Sequence, residues 1–198
     1  MCIRDSRSCL SDPKLSALLP PARPNTAFGL VFFQGDELLH KKRPVEEATP
    51  ILGFVGDEIV TDSALLAYDQ HEHQGFHAPD VAPFRFKRWA LGATGLATSD
   101  QSARDALGAT LPDFLQRTIS GGSMEEVAFA CVLNRLHEAS VLEDADAPMQ
   151  TLVSALVAVR TMLEPLVSNP FALLLSNGVR VASAAKDLEL VGLERRPG

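Results

Sequence analysis

Two periods of apolar residues organise this chain, a strand-like one in its first half and last fifth and a helical one between. Phe28-Gly29-Leu30-Val31-Phe32-Phe33 is an unbroken apolar run, short enough to predict a buried strand. Gln34-Gly35-Asp36 supplies turn chemistry, and residues 37–42 read as the returning strand of a hairpin. Residues 62–68 predict another strand, and residues 86–97 a strand pair broken at Gly92 and Gly95. Ser123-Met124-Glu125-Glu126 then has the form of a capping box, serine at the N-cap and glutamate three positions on. Val127, Cys131, Leu133 and Leu136 continue at helical spacing, and a second long helix is expected over 147–166, stopped by Pro165 and Pro170. Shorter helices are expected over 48–55 with Thr49-Pro50 at the start, over 102–107 and over 111–117. Residues 171–175 and 179–184 flank Asn177-Gly178, a strong hairpin signal. Strands, then consecutive helices, then a hairpin favour layered α+β over alternating parallel β/α units.

Composition narrows the picture. The chain has 198 residues, 46% of them hydrophobic, which suits one domain with a sizeable core. Residues 1–23 read as an irregular N-terminal segment and 24–198 as the domain. Met1-Cys2-Ile3-Arg4-Asp5-Ser6 has the look of a translated sequencing adapter, and the chain stops in polar turn residues after an apolar run. It is therefore read as a fragment at both ends. A formal net charge of -7 and no basic stripe interleaved with aromatics argue against a nucleic-acid partner. Apolar runs are too short for a membrane-spanning helix. The three cysteines have no metal-site spacing, which favours reduced thiols and a cytoplasmic setting.

Candidate chemistry is sparse. His71, His73 and His77, with Asp69, Glu72 and Asp80, crowd the polar segment 69–81. This loop offers a ligand- or metal-binding module, with His-x-His donating from one strand face. No cysteine or regular spacing sharpens that reading, so the plainer expectation is a solvated loop without metal. His40-Lys41-Lys42-Arg43 reads as the solvated end of a hairpin strand.

Pro83-Phe84, Arg88-Trp89 and the following Ala93-Thr94-Gly95 resemble a segment of the class II glutamine amidotransferases, whose nucleophile is an N-terminal cysteine. In that family a Pro-Phe and an Arg-Trp lead into a strand ending His-Asn-Gly. The resemblance runs over about residues 24–185 and implies the N-terminal-nucleophile hydrolase fold, a four-layer α-β-β-α sandwich of two antiparallel sheets between helices. It implies catalytic roles for Cys2, which follows the initiator Met, and for Gly95, whose backbone N–H falls in the oxyanion hole. It implies substrate-binding roles for three further positions, and each is substituted. Gln70 stands where the family has the arginine that grips the glutamine carboxylate. Thr94 stands at the oxyanion-hole asparagine, and Met124 at the aspartate that binds the α-amino group.

Glutamine is a zwitterion and needs a charged partner at each end. The expectation is thus a pseudoenzyme, an amidotransferase-like domain without glutamine activity or cofactor, whose partner is a small amide or another protein. The alternative is a working N-terminal-cysteine amidohydrolase or amidotransferase that uses Cys2 on glutamine or another amide.

Overall fold

The computed structural model describes residues 2–4, 21–35, 37–47, 49–50, 63–69, 76–96 and 100–190. Two four-stranded antiparallel sheets form the centre. The first has the order β1 (Cys2–Arg4), β6 (Ser63–Asp69), β3 (Thr26–Gln34), β4 (Glu37–Val45). The second has the order β10 (Val181–Lys186), β9 (Phe171–Ser176), β8 (Trp89–Thr94), β7 (Phe84–Phe86). A minor ladder joins β2 (Pro21–Ala22) to β5 (Thr49–Pro50).

Strand period alone separates the two faces of each sheet. From β8, Ala90 points towards the first sheet and packs with Val31, Leu38 and Leu65, joined by Phe33 and Leu174. Its neighbours Trp89 and Leu91 point the other way, as do Leu173 and Leu175 of β9. They meet the helices α1 (Gln101–Ala109), α2 (Asp113–Gln116), α3 (Met124–Glu138) and α4 (Met149–Leu163). Sheet, sheet and helices are therefore stacked in three layers among the described residues. The far face of the first sheet is also buried, with Phe28 and Leu30 at 0% and 1% exposure. The helix expected over 48–55 lies outside the described residues, apart from Thr49 and Pro50, which bridge to Pro21 and Ala22 as strand.

α4 buries Leu152, Ala155, Leu156, Val159 and Leu163, one stripe at helical spacing. α3 differs: positions 126–133 are buried on every side, because the helix lies between the second sheet and its companions. Both long helices pack on each other and on the second sheet, as the order of elements predicts.

Three local expectations change. The strand pair over 86–97 turns at Lys87-Arg88, not at Gly92. Gly92 lies inside β8, where an added Cβ would stand 3.3 Å from Leu65 Cδ1, so its role is close approach of the two sheets. The return strand runs on to Val45, whose buried side chain and pairing with Thr26 extend the ladder past Pro44 on the sheet edge. The last hairpin closes over residues 177–180, held by Asn177 Oδ1, which accepts from Val179 N at 3.1 Å and Arg180 N at 2.8 Å.

Candidate functional site

Of the positions singled out by resemblance, the structure describes Thr94, Gly95 and Met124 in full and Cys2 by its backbone alone. Thr94 ends β8 and is exposed, paired with Ala172. Gly95 follows with φ +81, and a Cβ there would overlap the Pro170 carbonyl oxygen. Backbone shape thus requires glycine at that position. Met124 opens α3 at 3% exposure, inside the main apolar cluster with Val127, Phe129 and Leu133. The backbone of Cys2 pairs with Leu65, the residue that packs over Gly92 on the facing sheet. Gln70 lies outside the described residues, just beyond the end of β6 at Asp69.

Gly95→Ala is expected to lower stability by roughly 3 kcal/mol, since both the positive φ and the carbonyl overlap oppose it. Gly108→Ala, in helix α1 with open space around its Cα, should instead raise stability by about 0.5–1 kcal/mol. Urea midpoints of the two variants check this, and equal effects would refute the backbone explanation of Gly95.

His71 and His73 lie outside the described residues. His77 Nδ1 donates to Asp80 Oδ2 at 2.7 Å, and Asp80 Oδ1 accepts from Gly122 N at 2.6 Å. Burial pushes the Asp80 carboxyl up, but the hydrogen bonds from His77 and Gly122 outweigh it and hold the group below the usual carboxylate range. The end of the histidine segment is therefore a clasp on the loop before α3. Among the described residues no three His, Cys, Asp or Glu side chains are grouped to hold a metal.

The capping box forms by half. Ser123 Oγ accepts from Glu126 N at 3.2 Å. The Glu126 carboxylate turns away and accepts from Ser120 N at 2.9 Å and Gly121 N at 2.7 Å, which satisfies a nearly buried charge. Cys131 is buried and its thiol is pushed up to about 12 by desolvation, so it is a core residue and not a nucleophile.

Sequence reading missed a cavity of about 240 Å³ between β4, β7 and the first half of α3. Its lining brings together the basic groups of His40, Lys42 and Arg85, the rings of Phe84, Phe86 and Phe129, and the carboxylate of Glu126. The signal in sequence was the i, i+2 spacing of His40 and Lys42, which places both on one face of β4. Lys42 is not a solvated strand end: it is half-buried, and its Nζ donates to Ala78 O at 2.9 Å and stands 5.1 Å from the Phe84 ring centroid. Desolvation lowers Lys42 to about 8, against the opposing pull of Glu126 and Asp80. His40 is also lowered, by partial burial and by the charges of Arg85 and Lys42.

No protein-family model matches the chain, and no curated protein matches its sequence. Among solved structures, a glutamine aminotransferase class-II domain protein from Silicibacter pomeroyi is similar in fold. The TM-score is 0.57 over 83% of this chain and 71% of that one, at 18% sequence identity. The class defined by the structure is thus an α+β protein of two facing antiparallel sheets with helices, the fold of that class-II domain. Among the described residues no helix is long and apolar enough to cross a membrane.

Proposed function

We propose that the chain is a class II glutamine amidotransferase-like domain that has lost glutamine chemistry and acts as a non-catalytic binding module in the cytoplasm. The observation that carries this reading is Met124, an apolar side chain packed into the core at 3% exposure where an ammonium would need a carboxylate. Thr94 adds to it, since its short hydroxyl replaces the longer amide donor that the resemblance implies for the oxyanion. Loss of the amino-group partner removes substrate orientation.

Ammonia release from glutamine tests it directly. The protein and its Cys2→Ala variant should be indistinguishable, and glutamine should leave the thermal midpoint unmoved. Hydrolysis that vanishes on Cys2→Ala would establish a working amidohydrolase instead.

A further inference from the structure

The cavity beside β4 is a better candidate for binding than the glutamine positions, and it stands independently of the amidotransferase reading. On a chain of net charge -7, three basic groups converge there from two different sheets. Lys42 and His40 come from the edge strand β4, and Arg85 from the edge strand β7. Arg85 and Lys42 both oppose protonation of His40, and Arg85 opposes that of Lys42. Such convergence is unfavourable by itself.

Among the described residues no carboxylate forms an ion pair with any of the three. Glu126 and Asp80 are nearby, but their oxygens already accept from Ser120, Gly121, Gly122 and His77. Among the described residues Lys42 has one hydrogen-bond acceptor, Ala78 O, for three N–H donors, and Arg85 has one, Leu38 O at 3.2 Å, for five. A cationic edge strand is often a guard against sheet-to-sheet pairing. That explains Lys41 and Arg43, which alternate to the other face of β4, but not a lysine drawn inward over an aromatic ring.

We propose that this cavity binds a small carboxylic acid with an apolar body, its carboxylate between Lys42 and Arg85 and its hydrocarbon part against Phe84, Phe86 and Phe129. The carboxylate would occupy the spare donors and relieve the repulsion among the basic groups. The ring-lined wall selects carbon over a bare inorganic ion, whose entry would leave those faces wet. Glu126 in the lining disfavours a dianion, so a monocarboxylate fits better than a phosphate.

The test titrates the full chain with phenylacetate and 4-methylpentanoate, with phenylacetamide as the neutral counterpart and inorganic phosphate as a competitor. Calorimetry gives affinity, and amide chemical shifts give location. At least one acid should bind with millimolar affinity or better and shift the amides of residues 84–86 and 126–130. Phenylacetamide should bind at least about tenfold more weakly, the difference expected for losing one charge-assisted contact. Lys42→Met should weaken the acid by about tenfold or more, and so should Arg85→Gln, which changes an exposed residue and leaves the fold intact. Phosphate should not displace the acid. The proposal fails if neither acid binds, if the amide binds as well as the acid, or if both folded variants keep full affinity. Displacement by phosphate at equal concentration would also overturn it, since a bare anion would then suffice.

Discussion

Replacing Trp89 with alanine is expected to destabilise the protein by about 3–5 kcal/mol, enough to remove much of the stability of an ordinary domain. Trp89, the sole tryptophan, is fully buried on the helix-facing side of β8. Its ring joins Leu91 and Leu96 to the helices, and its Nε1 donates to Leu142 O at 2.7 Å in the loop after α3. Alanine leaves a cavity and an orphaned carbonyl together. Trp89→Phe separates the two effects. It keeps most of the packing but strands the Leu142 carbonyl, for an expected loss of about 1–3 kcal/mol. Urea unfolding followed by circular dichroism measures both. If Trp89→Phe cost as much as Trp89→Ala, the hydrogen bond to the α3–α4 loop and not ring packing would dominate.

The second large effect concerns the residue that decides the functional reading. Met124→Asp, which restores the charge that the family resemblance implies, is expected to lower stability by about 2–4 kcal/mol near neutral pH. An uncompensated buried charge costs about 3–5 kcal/mol. Position 124 begins α3, where the helix dipole returns about 1 kcal/mol to an acidic side chain. Burial outweighs the dipole, so the substitution destabilises. Glu126, two positions on, shows what a carboxylate needs here: two backbone N–H donors, from Ser120 and Gly121. Burial raises the folded-state pKa of the introduced carboxyl, so the folded protein binds the proton more tightly than the unfolded chain does. The penalty is complete above that raised value and shrinks as pH falls through it. The stability gap to the unsubstituted protein should therefore be wider at pH 8 than at pH 5. A neutral or stabilising result at pH 8 would mean that position 124 opens onto water, and the case for a lost glutamine site would weaken with it.

Local signals make part of this fold legible from sequence. The hairpin of β3 and β4 rests on an apolar run and a glycine turn that are contiguous in sequence. The N-cap at Ser123 and the apolar stripe of α4 are likewise settled within a turn or two of helix. Gly92 reads as a break in sequence because a glycine there marks either a turn or a close approach, without distinguishing the two. Only the opposing Leu65, from another strand, selects the second. The Glu126 side chain departs from the expected capping box for the same reason, since Ser120 and Gly121 come within its reach only through the loop clasped by Asp80.

Sequence by itself determined the layered α+β order and the two long helices, because these are matters of residue identity and short-range period. Tertiary structure decided which residues are buried and which charges face one another. Lys42 meets Ala78 across 36 residues, and Asp80 meets Gly122 across 42. Hydrophobicity and hydrogen-bond capacity are written in each residue, but desolvation and the pairing of charges depend on what the folded chain brings alongside. That is why Met124 is legible from sequence as an apolar residue beside a helix cap, while its burial, and the basic lining of the cavity beside β4, emerge only from the packing of two sheets and a helix.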